Sequence, residues 1–84
     1  MKLYNIPNAE MFLRKVMTCT GSAHFIKADG NASDLKAMAR SLIQSGIAGR
    51  IGSIDEINLS LENHADAIML MNYAAEMNRS GRAA

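Results

Sequence analysis

The sequence has few of the features that bind nucleic acids, membranes or metals. Its 84 residues include one cysteine, one proline and no tryptophan, and aromatic residues make up 5% of the chain. A single cysteine, Cys19, excludes an internal disulfide framework. Scarce aromatics and a net charge of +1 disfavour binding to nucleic acid or anionic lipid. No apolar run approaches the ~20 residues of a membrane span, and the N-terminus does not have the order of a signal peptide. We therefore expect a cytoplasmic protein without nucleic-acid or membrane partners.

The composition is that of one small globular domain. Apolar residues make up 49% of the chain and charged residues 20%, which is ordinary for folded proteins. A chain of this length forms a single thin core. We expect the domain to cover residues 1–78 and residues 79–84 to form a frayed tail.

The first thirty residues or so predict a strand, a helix and a second strand. Residues 2–6 contain strand formers. The ring of Pro7 fixes its φ near the helical value, and Asn8 can cap a helix. Apolar residues then fall at i, i+3, i+4 and i+7, as on one face of an amphipathic helix: Ala9, Phe12, Leu13 and Val16. A second strand is expected over residues 23–28.

A tight turn at Asp29-Gly30-Asn31 precedes a very short third strand near residues 31–33. Ser33 or Asp34 can cap the second helix, which has a regular apolar stripe: Leu35, Met38, Ala39, Leu42 and Ile43. Ser45-Gly46 ends that helix, and residues 46–52 are expected to form a flexible connection.

Residues 54–62 alternate apolar and polar side chains, which predicts a half-buried strand. A last helix is expected over about residues 64–77, capped by Asn63. The order of elements is then β-α-β-β-α-β-α. We predict an α+β fold with a mostly antiparallel four-stranded sheet and helices on one face.

This order and several motifs resemble HPr, the histidine phosphocarrier of the bacterial sugar phosphotransferase system. The first helix has the pattern A-x-x-F, and the DG turn precedes a helix that begins DLKA and ends at Gly46-Ile47. The second helix of HPr typically begins with a Leu-Lys-Ser motif and ends at Leu-Gly-Ile. The resemblance covers about residues 2–77. It implies an open-faced β-sandwich, with three helices on one face of the sheet.

Departures from HPr remove the carrier chemistry and a regulatory phosphorylation site. The resemblance places Asn5 where the phosphorylated His stands in the family, Pro7 at the position of an Arg, and Ala37 at that of a regulatory Ser. A carboxamide is not a nucleophile that can carry a phosphoryl group. Residues 1–23 contain no histidine, so a small shift in alignment does not restore one. We therefore expect neither an enzyme nor a phosphocarrier, and no catalytic residue or cofactor.

The resemblance implies a protein-binding or regulatory role. HPr contacts its partners through its first and second helices, and the corresponding residues here are Phe12, Arg14, Met38, Leu42, Gly46 and Ile47. Partners expected on this basis are components of the phosphotransferase system or regulators that bind HPr. Two alternatives remain: a phosphocarrier that uses His24 or His64, and a regulatory domain that binds a small molecule.

Other motifs are weak. His24, His64 and Cys19 lack the spacing of zinc ligands, so we expect no metal. The string Gly46-x-x-Gly49-Arg50 resembles the phosphate-binding loop of KH domains, but a strand and not a helix is expected after it.

The last helix has two apolar faces within residues 65–75. One face must pack on the sheet. The other is either covered by the neighbouring helices or contacts a second copy of the chain.

Overall fold

Four antiparallel strands form one sheet, and helices pack on one face of it. The computed structural model describes the backbone of residues 1–83 and the side chains of residues 1–77. In chain order the elements are β1 (Lys2–Ile6), α1 (Ala9–Val16), β2 (Ala23–Ile26), β3 (Ala32–Asp34), α2 (Leu35–Gln44), α3 (Ala48–Ile51), β4 (Ile54–Leu61) and α4 (His64–Ala83). The predicted α+β class and open-faced architecture are confirmed.

The strand order is β1-β4-β2-β3, with every neighbouring pair antiparallel. Leu59 of β4 lies opposite Phe25 of β2, and Ile57 lies opposite Leu3 of β1. These apolar side chains face the helices. The other face is open and carries polar or amphipathic residues of three strands: Lys2, Tyr4, His24, Glu56, Asn58 and Ser60.

Asn5 changes the face to which β1 points its side chains. Its φ of 56° is left-handed, which asparagine tolerates better than most residues. Leu3 and Ile6 are both buried, although strict alternation would place residues three apart on opposite faces. Their partners on β4, Ile57 and Ile54, are also three residues apart. The left-handed residue therefore keeps Ile6 on the helix side, directly before α1.

The core confirms the predicted helical stripes. All four apolar residues of the α1 stripe are buried, and so are Leu35 and Ala39 of α2. The largest side chains that are fully buried come from both layers: Phe12, Ile6, Leu35, Leu59, Leu70 and Val16. The predicted caps also form, since Asn8 accepts from Met11 N at 3.1 Å and Asp34 from Ala37 N at 3.2 Å.

A polar clamp joins the end of α1 to α2 and α4. Asp66 is buried and accepts hydrogen bonds from the backbone N–H of Thr20 at 3.1 Å and of Gly21 at 2.8 Å. These bonds lower the pKa of the Asp66 carboxyl. Lys36 donates to the carbonyl oxygens of Cys19 at 2.7 Å and Gly21 at 3.2 Å. The loop after α1 is thus held from both sides.

Two elements differ from the sequence prediction. The connection expected to be flexible contains the one-turn helix α3, so residues 1–83 form four helices and not three. Glycines with positive φ, Gly46 and Gly52, lie on either side of it. Helix α4 continues to Ala83, past the expected end near Met77. The predicted tail, residues 79–84, has no described side chains, and Ala84 lies outside the described residues.

Within the described chain, no helix combines the length and apolarity needed to cross a membrane.

Candidate docking surface

The N-terminus of α1 is closed by hydrogen bonds from the chain itself. Ala9 N donates to the carbonyl oxygen of Gly52 at 2.7 Å, and Met11 N donates to Asn8 Oδ1 at 3.1 Å. Glu10 adds a carboxylate to the first turn. A helix N-terminus attracts anions through its unpaired N–H groups. Here two of these groups have partners, and a negative charge already lies beside them.

The positions that correspond to the HPr nucleophile and arginine have local structural roles. Asn5 is the left-handed residue of β1, and Pro7 lies in the bend between β1 and α1. Only Pro7 and Asn8 separate the strand from the helix. Both positions therefore shape the backbone path from β1 into α1.

Both histidines lie far from the start of α1. His24 is opposite Ser60 of β4, and the Ile6 end of β1, next to α1, is opposite Ile54. Six residues along β4 correspond to about 20 Å at ~3.3 Å per residue. His64 begins α4 beyond the same far end of β4.

Ser60, His24 and Asp34 lie side by side across three strands on the open face. None of the hydrogen bonds found among residues 1–77 joins them, and Asp34 uses its side chain to cap α2. This row does not form the hydrogen-bonded relay that a serine nucleophile needs.

The predicted partner-binding residues are only partly on the surface. Arg14 and Gly46 are exposed, Ile47 is 47% exposed, and Met38 and Leu42 are half-buried. Phe12 is fully buried in the core, so its assignment to the surface is corrected. Phe12 belongs to the buried stripe of α1 and packs in the core beneath the helix.

The structure adds one residue that sequence reasoning missed. Ile51 is exposed and stands four residues after Ile47, on the same side of α3. It was overlooked because residues 46–52 were expected to be a loop. Helices α1, α2 and α3 pack against one another. We define the docking surface as the six residues Arg14, Met38, Leu42, Gly46, Ile47 and Ile51.

The charges around the docking surface are mainly positive. Residues 35–53 contain three basic residues, Lys36, Arg40 and Arg50, and no acidic residue. Lys36 is used in the clamp, whereas Arg40 and Arg50 are exposed and form no ion pair within residues 1–77. Arg14 is paired with Glu10 at 3.2 Å. The surface therefore combines an apolar centre with two unpaired guanidinium groups.

No group of three metal-ligating side chains occurs among the described residues.

Cys19 is buried, and burial together with the nearby Asp66 raises the pKa of its thiol, which disfavours the reactive thiolate. Gly49 and Arg50 lie inside α3, directly before β4. Gly46 and Ile47 lie in the turn between α2 and α3, so the KH-type string is part turn and part helix, and a strand follows it.

Two grooves lie elsewhere. One of about 520 Å³ is on the open face and is lined by Lys2, Ile26, Lys27, Ala28, Glu56 and Asn58. Another of about 290 Å³ is lined by Lys15 of α1 and by Met69, Asn72, Tyr73 and Glu76 of α4. Neither contains a residue of the docking surface.

Comparisons with protein-family models, curated proteins and solved structures return no match. The resemblance to HPr therefore depends on the motifs of the sequence and on its order of elements.

Proposed function

We propose that this chain is a cytoplasmic HPr-like protein that transfers no phosphoryl group and acts by binding another protein. The partner is a component of the sugar phosphotransferase system or a regulator that also binds HPr. The observation that carries this proposal is the position of both histidines, about 20 Å or more from the start of α1.

Carrier chemistry needs an imidazole beside groups that stabilise the charge of the phosphoryl group. In the HPr arrangement these are the N–H groups of the first helix and an arginine. Here Asn8 and Gly52 occupy two of the N–H groups, and Pro7 stands at the arginine position. His24 and His64 lie away from the start of α1, where the HPr arrangement places its phosphoacceptor, and this supports the proposal.

The docking surface has the character of a transient protein interface. Ile47 and Ile51 supply exposed apolar area, and Met38 can adapt its shape to a partner. Arg40 and Arg50 favour a partner that places carboxylates around an apolar patch, since opposite charges speed association and select partners.

Competition with authentic HPr tests this function. The rate at which the general phosphotransferase enzyme phosphorylates HPr is measured with increasing amounts of this chain. We expect inhibition by the wild type and at least ~10-fold weaker inhibition by Ile47→Asp, because a charge replaces a central apolar contact.

The matched control is Ile68→Asp on α4, since Ile68 is 48% exposed and Ile47 is 47% exposed. This variant should inhibit as well as the wild type. If the general enzyme is not inhibited, the same pair of variants is used to capture partners from a lysate of the source cell. Identical partner sets for wild type and Ile47→Asp would refute the docking surface.

The phosphocarrier alternative is tested directly by incubation with phosphoenolpyruvate and the general enzyme. We expect the intact mass to stay unchanged. An acid-labile gain of ~80 Da that His24→Ala or His64→Ala abolishes would overturn the proposal.

A further inference from the structure

Strand β4 changes neighbours halfway along its length. Its register with β1 covers residues 54–58, and its register with β2 covers residues 59–61. If the register with β2 continued, Ala28 would lie opposite Glu56. Within residues 1–77, no backbone hydrogen bond joins these two residues. The chain after β2 therefore separates from β4, and the groove of about 520 Å³ on the open face lies where they part.

The backbone N–H and C=O of Glu56 point into this groove. Leu59 exchanges two hydrogen bonds with Met1, which extends β1: Met1 N donates to Leu59 O at 2.9 Å, and Leu59 N donates to Met1 O at 2.6 Å. In an antiparallel strand, successive residues direct their N–H and C=O groups to opposite neighbours. Glu56 stands three residues before Leu59, so its backbone groups point away from β1. They form a strand edge to which a further strand can bind.

The charges that line the groove favour an acidic ligand. Lys2 and Glu56 form an ion pair at 3.2 Å and offset each other. Lys27 is exposed and has no ion pair within residues 1–77, so the remaining charge is positive. Ile26 and Ala28 add apolar contacts. We infer that an extended acidic segment of another protein binds here by adding a strand to β4.

Strand addition explains how so open a groove can be specific. Main-chain hydrogen bonds supply affinity, and contacts with alternate side chains select the sequence. The volume lies within the ~300–1,000 Å³ of ligand sites and holds only a few residues, so we expect weak binding. The groove lies on the open face of the sheet, and the docking surface lies on the helices. This inference therefore does not depend on the proposed function.

Peptide titrations followed by heteronuclear NMR of the full chain test the charge preference. The probes are capped hexapeptides of alternating threonine and valine whose third residue is replaced by glutamate or by lysine. Up to ~2 mM, the glutamate peptide should shift signals of residues 26–28 and 54–58 and bind at least ~5-fold more tightly than the lysine peptide. Lys27→Glu should abolish this preference. The control Lys15→Glu, which makes the same charge change beside the other groove, should keep it.

Three results of the titrations would overturn the inference: no shifts at ~2 mM, shifts confined to the docking surface, or an unchanged preference in Lys27→Glu. Capped glutamate alone is the remaining control. If it shifts the same signals as strongly as the hexapeptide, the ligand is a small acid and not a strand.

The backbone contact has its own test at Glu56. Proline at this position removes the N–H that points into the groove and leaves the hydrogen bonds to β1 in place. Glu56→Gln keeps that N–H and removes the same carboxylate. We expect Glu56→Gln to bind the glutamate peptide at least as well as the wild type, and Glu56→Pro to bind it ~10-fold more weakly than Glu56→Gln.

Methylated peptides give the same information without depending on the folding of Glu56→Pro. Two isomers of the glutamate peptide carry N-methyl groups at alternate backbone nitrogens, on opposite edges of the extended chain. An added strand bonds to β4 through one edge, so the wild type should bind one isomer at least ~10-fold more tightly than the other. Equal binding of the two isomers would refute strand addition.

Discussion

The left-handed backbone of Asn5 can be tested directly by substitution. Its φ of 56° holds Ile6 on the helix side of the sheet. A left-handed conformation costs an ordinary L-residue about 1–2 kcal/mol, glycine almost nothing, and asparagine an intermediate amount. We therefore expect Asn5→Val to lower the free energy of unfolding by at least ~1 kcal/mol and Asn5→Gly to change it by less than ~0.5 kcal/mol.

For a domain of this size, 1 kcal/mol corresponds to a fall in Tm of about 4–8 °C. Thermal unfolding followed by circular dichroism measures this difference for the two variants and the wild type. Ser60→Val, at an exposed strand position with ordinary backbone, serves as the control and should shift Tm little. Equal Tm values for Asn5→Val and Asn5→Gly would refute the claim that the left-handed backbone determines the residue at this position.

Four further changes test other parts of the structure. Phe12→Leu should lower the free energy of unfolding by ~1–2 kcal/mol in urea titrations, yet leave the competition with HPr unchanged, because the ring is fully buried. Gly21→Ala should cost ~1–2 kcal/mol, since a Cβ there would lie 3.1 Å from the Cβ of Asn63. Gly49→Ala should instead stabilise the chain by about 0.4–1 kcal/mol, because the nearest atom to the new Cβ is 3.6 Å away. Asp66 has a lowered pKa in the folded state, so its contribution is present above the unfolded pKa of about 3.9 and is lost as pH falls through the folded value. Wild-type stability should therefore fall below about pH 4 more steeply than that of Asp66→Asn, and parallel curves in urea titrations from pH 7 to pH 2 would contradict this.

Local patterns predicted the regular elements well. The spacing of Ala9, Phe12, Leu13 and Val16 predicted both α1 and its buried side. The alternation of Ile57, Leu59 and Leu61 predicted β4, and Asn8 and Asp34 cap the expected helices. Each of these signals lies within one element, where the period of the backbone alone decides which side chains share a face.

Features that depend on packing between elements were not predictable in this way. Helix α3 has four residues, of which only Ala48 is buried, so it has no periodic signal. The sequence shows two apolar faces on α4, but only the position of β1 against that helix decides that Leu70 is buried and Met71 exposed. Phe12 was assigned to the surface by resemblance, although its own stripe places it in the core.

The hydrogen bonds at the start of α1 bear on whether a phosphoacceptor can work there. A phosphoacceptor needs helix N–H groups that are free to bind the charge of the phosphoryl group. Here Gly52 accepts a hydrogen bond from Ala9 N and Asn8 accepts one from Met11 N. We therefore propose that these bonds, as well as the identity of residue 5, prevent phosphoryl transfer. Asn5→His should fold, because histidine also tolerates a positive φ, and should still gain no phosphate from phosphoenolpyruvate and the general enzyme. An acid-labile gain of ~80 Da in that variant would show that the start of α1 is still open to a phosphoryl group.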